Sequence, residues 1–103
     1  MRLIKHITDD MMGEVHDAKH RAERAMEFKP LYPDISQREI DIAAQELVHA
    51  EKDHKSAMEL IEEFKKTKGE PPEYMMEFWK EKHEDFMEKY ARAKCMIDLF
   101  NKS

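Results

Sequence analysis

Two Glu-x-x-His pairs, Glu46-Leu-Val-His49 and Glu51-Lys-Asp-His54, fall within nine consecutive residues. On a helix, side chains three apart share a face, so a carboxylate and an imidazole so spaced can reach one transition-metal ion. Placing residues at intervals of about 100° puts His54 near the centre of an apolar stripe, one turn from Ala50 and Met58 and two from Leu47. Glu51 and Glu46 lie on opposite flanks of that stripe, and His49 lies further round, near its boundary. Two more polar residues interrupt apolar faces elsewhere: Glu14 beside Met11 and Ala18, and His83 between Trp79 and Phe86. A buried carboxylate or imidazole needs a hydrogen-bond partner or a metal, because leaving it bare costs several kcal/mol. Glu14, Glu46, His49, Glu51, His54 and His83 are therefore the candidate metal ligands.

The elements that must position them are helices. Apolar residues recur at helical spacing in three stretches. The first holds Ile4, Ile7, Met11, Val15, Ala18, Ala22 and Ala25; the second Ile40, Ala43, Leu47, Ala50, Met58 and Ile61. The third holds Met75, Trp79, Phe86, Tyr90, Ala93, Ile97 and Phe100. Turn chemistry separates them: Pro30 and Pro33 in one place, Gly69, Pro71 and Pro72 in the other. Proline removes an amide donor and restrains the residue before it, so helices end near both segments. Ser36-Gln-Arg-Glu39 has capping-box spacing and predicts the start of the second helix. Gly69 suits a C-cap, and Pro71 or Pro72 suits the first turn of the third helix. The predicted spans are 3–28, 36–67 and 72–101, each about 40–48 Å long. No strand and no internal repeat is expected.

Short turns between long helices make neighbours antiparallel, so the fold class is all-α, an up-down-up bundle forming one domain over residues 1–103. In that arrangement the six candidates lie at a common height. Measured from the first turn, Glu14 is about 21 Å along its helix, and Glu46, His49 and Glu51 are about 15, 20 and 22 Å along theirs. From the second turn, His54 and His83 are about 20 and 16 Å away.

Glu46-Leu-Val-His49-Ala50-Glu51 resembles the Glu-x-x-His-Ala-Glu stretch of rubrerythrins and other ferritin-like proteins, which build carboxylate-bridged di-iron sites inside four-helix bundles. Glu14, followed by Asp17-Ala18, looks like the carboxylate that the first helix of that superfamily contributes. The scale is similar to encapsulated ferritin-like proteins, in which a helical hairpin supplies half a site and dimerisation completes it. The resemblance covers the first two helices and implies Glu14, Glu46 and His49 as ligands, repeated across a twofold axis. It also implies iron, and oxidation of Fe(II) by oxygen or peroxide as the activity. Lys80-Glu-Lys-His83 departs from the pattern, with no glutamate three residues before the histidine. Helical periodicity favours Glu51 and His54, whereas the resemblance favours Glu46 and His49.

Composition narrows the alternatives. Of 103 residues, 40% are charged and only two are glycine, which favours solvated helices over a sandwich or barrel. A formal charge of −5 argues against nucleic acid as the main partner, since phosphate binding needs a basic face. No run approaches the roughly 18 apolar residues of a membrane span. The opening Met1-Arg-Leu-Ile-Lys-His-Ile7 reads as too short and interrupted for a signal peptide. The single Cys95 precludes an internal disulfide and fits a reducing, cytoplasmic setting, where it reads as a small buried residue. His6, His16 and His20 point outward on the wheel.

The expectation is a ferritin-like, iron-binding bundle that forms a homodimer or larger homo-oligomer, with ferroxidase activity as the resemblance implies. Glutamate and histidine ligands suit manganese or zinc as well. The alternative is a non-enzymatic interaction module whose polar core residues fix helix register without metal.

Overall fold

The computed structural model describes residues 3–102; Met1, Arg2 and Ser103 lie outside the described residues, so the reading of the N-terminus falls partly there. Three helices follow one another: α1 (Ile4–Phe28), α2 (Pro33–Lys68) and α3 (Glu73–Lys102), with no strand among the described residues. They pack as the expected up-down-up bundle. Its long dimension of 54 Å is the length of the 36-residue α2 at about 1.5 Å per residue.

The α1–α2 turn closes when the amides of Leu31 and Tyr32 donate to the Phe28 carbonyl at 3.0 and 2.8 Å. Pro33 then opens α2, three residues ahead of the capping-box position. Its fixed φ is already helical, and the donor it lacks would have had no partner in a first turn. Ser36 lies inside the helix instead, its amide donating to the Tyr32 carbonyl at 3.0 Å, and is 1% exposed. At the other end Gly69 caps α2 with φ +83° and ψ −155°, a conformation that disfavours any side chain. Pro71 and Pro72 lie just before α3 rather than in its first turn. The Pro72 carbonyl accepts from the amides of Met75 and Met76 at 3.0 and 3.2 Å.

The buried stripes follow the periodicity, with Ile4, Met75 and Tyr90 only half-buried and Met76 rather than Met75 packed against the core, and with two clearer departures. Met58 is exposed and Ala57 is buried in its place. Cys95 is exposed, because it sits two residues beyond the buried Ala93 and so faces nearly the opposite way.

Side-chain size sets how the helices meet. Ala18, Ala22 and Ala25 of α1 and Ala43, Ala50 and Ala57 of α2 are all buried, and this helix pair has the most intimate contact. Small residues let two backbones come close, as α2 and α3, which touch least, do not. Between α2 and α3 stand the rings of His54, Trp79, His83 and Phe86. Among the described residues no helix is long and apolar enough to cross a membrane.

Candidate functional site

Buried positions of α2 run Ile40, Ala43, Leu47, Ala50, Ala57, Ile61, alternating steps of three and four residues except for one gap. His54 fills that gap. On α3 the run Trp79, Phe86, Ala93, Ile97, Phe100 has corresponding gaps at positions 83 and 90, filled by His83 and Tyr90. Steps of three and four keep a seam facing its partner along the whole helix. Both histidines are therefore carried inward by the same repeat that builds the core, and each remains half-buried.

The two imidazoles meet. His54 Nε2 lies 2.8 Å from His83 Nδ1, with the rings 19° from parallel and their centroids 4.9 Å apart. One nitrogen donates and the other accepts, so the contact requires at least one ring to be neutral. Phe86 stacks on His54 at 4.9 Å and 10°, and Trp79 at 5.7 Å and 30°. Burial among these rings pushes the His54 pKa down, and the neighbouring His83 pushes it further; Glu51 acts in the opposite direction.

Glu51 lies one turn before His54, on the exposed edge of the same seam. Its Oε2 accepts from the Tyr90 hydroxyl at 3.3 Å. Burial, and then the Glu51 charge, raise the Tyr90 pKa. An open groove of about 480 Å³ runs beside this cluster, lined by Val48, Glu51, Lys52, His54, Lys55 and Met58.

The remaining candidates have other surroundings. Glu46 faces α1, where Arg21 Nε contacts its Oε1 at 2.5 Å, while Arg21 Nη1 donates to Glu39 Oε2 at 2.9 Å. Burial raises the Glu46 pKa, and the charge and hydrogen bond of Arg21 oppose the rise. The Arg21 pKa is raised in turn, chiefly by its hydrogen bond to Glu39. His49 is exposed. Glu14 is half-buried on α1. Lys29 Nζ donates to the carbonyl of Phe100, 71 residues later, so Glu14 stands roughly level with position 85, within a turn or so of His83.

The structure thus joins His54 to His83, with Glu51 on their flank, and engages Glu46 with an arginine on a different face. Among the described residues no group of three or more His, Cys, Asp or Glu side chains is gathered closely enough to hold an ion. Arg21 and Tyr90, which engage the two glutamates, were not candidates in the sequence. Tyr90 had a legible signal, its place seven residues after His83 in the α3 repeat. Arg21 had none, because it sits on the edge of its stripe. Protein families, curated proteins and solved structures were compared with the chain, and none matches.

Proposed function

We propose that this chain is a ferritin-like metal-binding protein that holds iron, with manganese or zinc as alternatives, at the α2–α3 seam of a homodimer. The carrying observation is the 2.8 Å separation of His54 Nε2 and His83 Nδ1. As they stand the two nitrogens face each other across a hydrogen bond, so a metal ion would replace the shared proton and both rings would turn toward the open groove to bind it. Glu51 supplies a carboxylate at the open edge, and Glu14 stands at the same height. Glu46 would first have to leave Arg21, and His49 would have to turn from solvent, whereas Glu51, His54 and His83 would only have to draw closer together on binding, which favours them as ligands. They make half of a coordination shell, and a second copy laid on the seam supplies the rest. Val48, Met58 and Met87, all exposed, offer apolar surface for that copy. Bound iron would supply the redox chemistry toward oxygen or peroxide that the family resemblance implies. The chain's own groups would position it: His54 and His83 as neutral donors, Trp79 and Phe86 holding the His54 ring, and Tyr90 orienting Glu51.

Metal analysis after Fe(II) supplementation of untagged protein, with sedimentation equilibrium on the same sample, tests this reading. The expected result is a dimer with at least about half an equivalent of metal per chain, one ion shared by two copies. Glu51→Ala and His54→Phe should remove the metal, and Glu46→Ala should keep it. A monomer of 12.4 kDa carrying under a tenth of an equivalent would overturn it.

One observation favours the non-enzymatic module. A cleft of about 400 Å³ opens at the α1–α2 end, with Phe28, Tyr32 and Ile35 on its walls and exposed Leu31 nearby. Apolar surface gathered this way is characteristic of contact with another macromolecule. A metal-free chain whose oligomeric state is lost in Ile35→Asp but unchanged in His54→Phe would favour that reading.

A further inference from the structure

A second pair of imidazoles lies on α1, apart from the seam. His16 and His20 are four residues apart, both exposed, with ring centroids 4.4 Å apart and ring planes 71° from parallel. Side chains one helical turn apart lie over one another, and the backbone holds their Cβ atoms about 5–6 Å apart without help from a loop.

That separation is short enough for one cation to reach a nitrogen of each ring. A cation bound by an imidazole nitrogen at about 2.0–2.1 Å lies about 3.2 Å from the ring centre, because the nitrogen stands about 1.1 Å out from that centre. Two such rings at right angles have centres about 4.5 Å apart, and a tetrahedral angle opens this to about 5.2 Å. The observed edge-to-face separation of 4.4 Å is just below both values, so the rings need open only slightly to share an ion. Square or tetragonal geometry with nitrogen and oxygen donors is the preference of copper(II) and nickel(II).

We propose that His16 and His20 form a two-point chelate on the exposed face of α1 for a late first-row divalent cation of the copper(II) or nickel(II) class. Water fills the other positions, since no third His, Cys, Asp or Glu among the described residues is gathered with the pair. The surroundings are not uniformly positive. Asp17 is exposed beside His16, and Glu23, near enough to His20 to feel its charge, is bridged by Lys19 at 2.9 Å. This site is independent of the seam and does not rest on the iron reading. Its ligands belong to one exposed helical turn, so a single chain carries it whole.

The test is titration of the full, untagged chain with nickel chloride and copper chloride at pH 7.5, followed by calorimetry. Wild type, His16→Ala, His20→Ala, the double variant and His54→Phe are compared. Alanine is the better helix former, so helicity by circular dichroism should hold in the alanine variants. Nickel affinity should fall at least tenfold in each single variant, fall little further in the double, and persist in His54→Phe. Copper(II) electron paramagnetic resonance should show two nitrogen ligands in wild type and one in each single variant. Affinities within twofold of wild type in His16→Ala or His20→Ala would overturn the proposal. So would loss of nickel binding in His54→Phe with retention in His20→Ala, which would move the ion to the seam.

Discussion

Replacing His54 separates what its ring packing contributes from what its nitrogen contributes. In His54→Ala the ring disappears, and with it contacts to Trp79, His83 and Phe86 at centroid separations of 5.7, 4.9 and 4.9 Å. Each ring pair is worth about 0.5–1.5 kcal/mol, and the half-buried position favours the lower part of that range, so packing accounts for about 2 kcal/mol. The contact between His54 Nε2 and His83 Nδ1 adds about 1 kcal/mol, giving about 3 kcal/mol in all. His54→Phe keeps a ring in the stack and loses only the nitrogen contact, about 1 kcal/mol. For a chain of this size 1 kcal/mol moves Tm by about 4 °C, so the expected falls are about 12 °C for alanine and about 4 °C for phenylalanine. Thermal unfolding at pH 7.5, followed at 222 nm with a chelator present to remove any metal contribution, reads both. Equal falls in the two variants would refute the division between stack and hydrogen bond. A fall under about 4 °C for alanine would show that the ring cluster does not hold α2 to α3.

Acid should weaken the same contact. The folded state depresses the His54 pKa below its ordinary 6.5, so below that pH it binds fewer protons than the unfolded chain does. Stability from this group is complete above about pH 6.5 and is lost as pH falls further. Glu46, whose pKa is raised, acts in the opposite sense near the carboxylate range, but wild type and His54→Phe share it. The urea-unfolding midpoint should therefore fall more steeply in wild type than in His54→Phe between pH 7.5 and 5.5, and parallel slopes would contradict the assignment. The two glycines should respond oppositely to alanine. At Gly13, mid-helix with open space around a new Cβ, Gly13→Ala should stabilise by about 0.5–1 kcal/mol. At Gly69, equally open but at φ +83°, Gly69→Ala should destabilise by about 1–3 kcal/mol, purely through the backbone. Denaturant melts of both variants check the signs, and a stabilised Gly69→Ala would be inconsistent with the cap described. Ala22→Leu, placing a branched side chain in the α1–α2 contact, should cost about 1–3 kcal/mol by overpacking, and an unchanged unfolding midpoint would show that this interface is looser than its alanines imply.

Helix number, order and inward stripes were legible in the residues because local periodicity dictates them. A helix repeats every 3.6 residues, and apolar groups at matching intervals have one common face to bury. Punctuation was legible to within a few residues. Pro33 displaced the predicted cap at Ser36 because a proline's fixed φ starts a helix as readily as a capping side chain does. The inward course of His54 and His83 was legible for the same periodic reason. Which polar groups meet across helices was not. That His54 faces His83, that Glu51 receives Tyr90 and that Glu46 is held by Arg21 depends on the relative rotation and height of separate helices. Those are fixed by alanines drawing α1 onto α2 and rings spacing α2 from α3. A sequence carries the face of each helix in its own period, but the pairing of faces is a property of the packed bundle, settled only when all three helix interfaces are filled together.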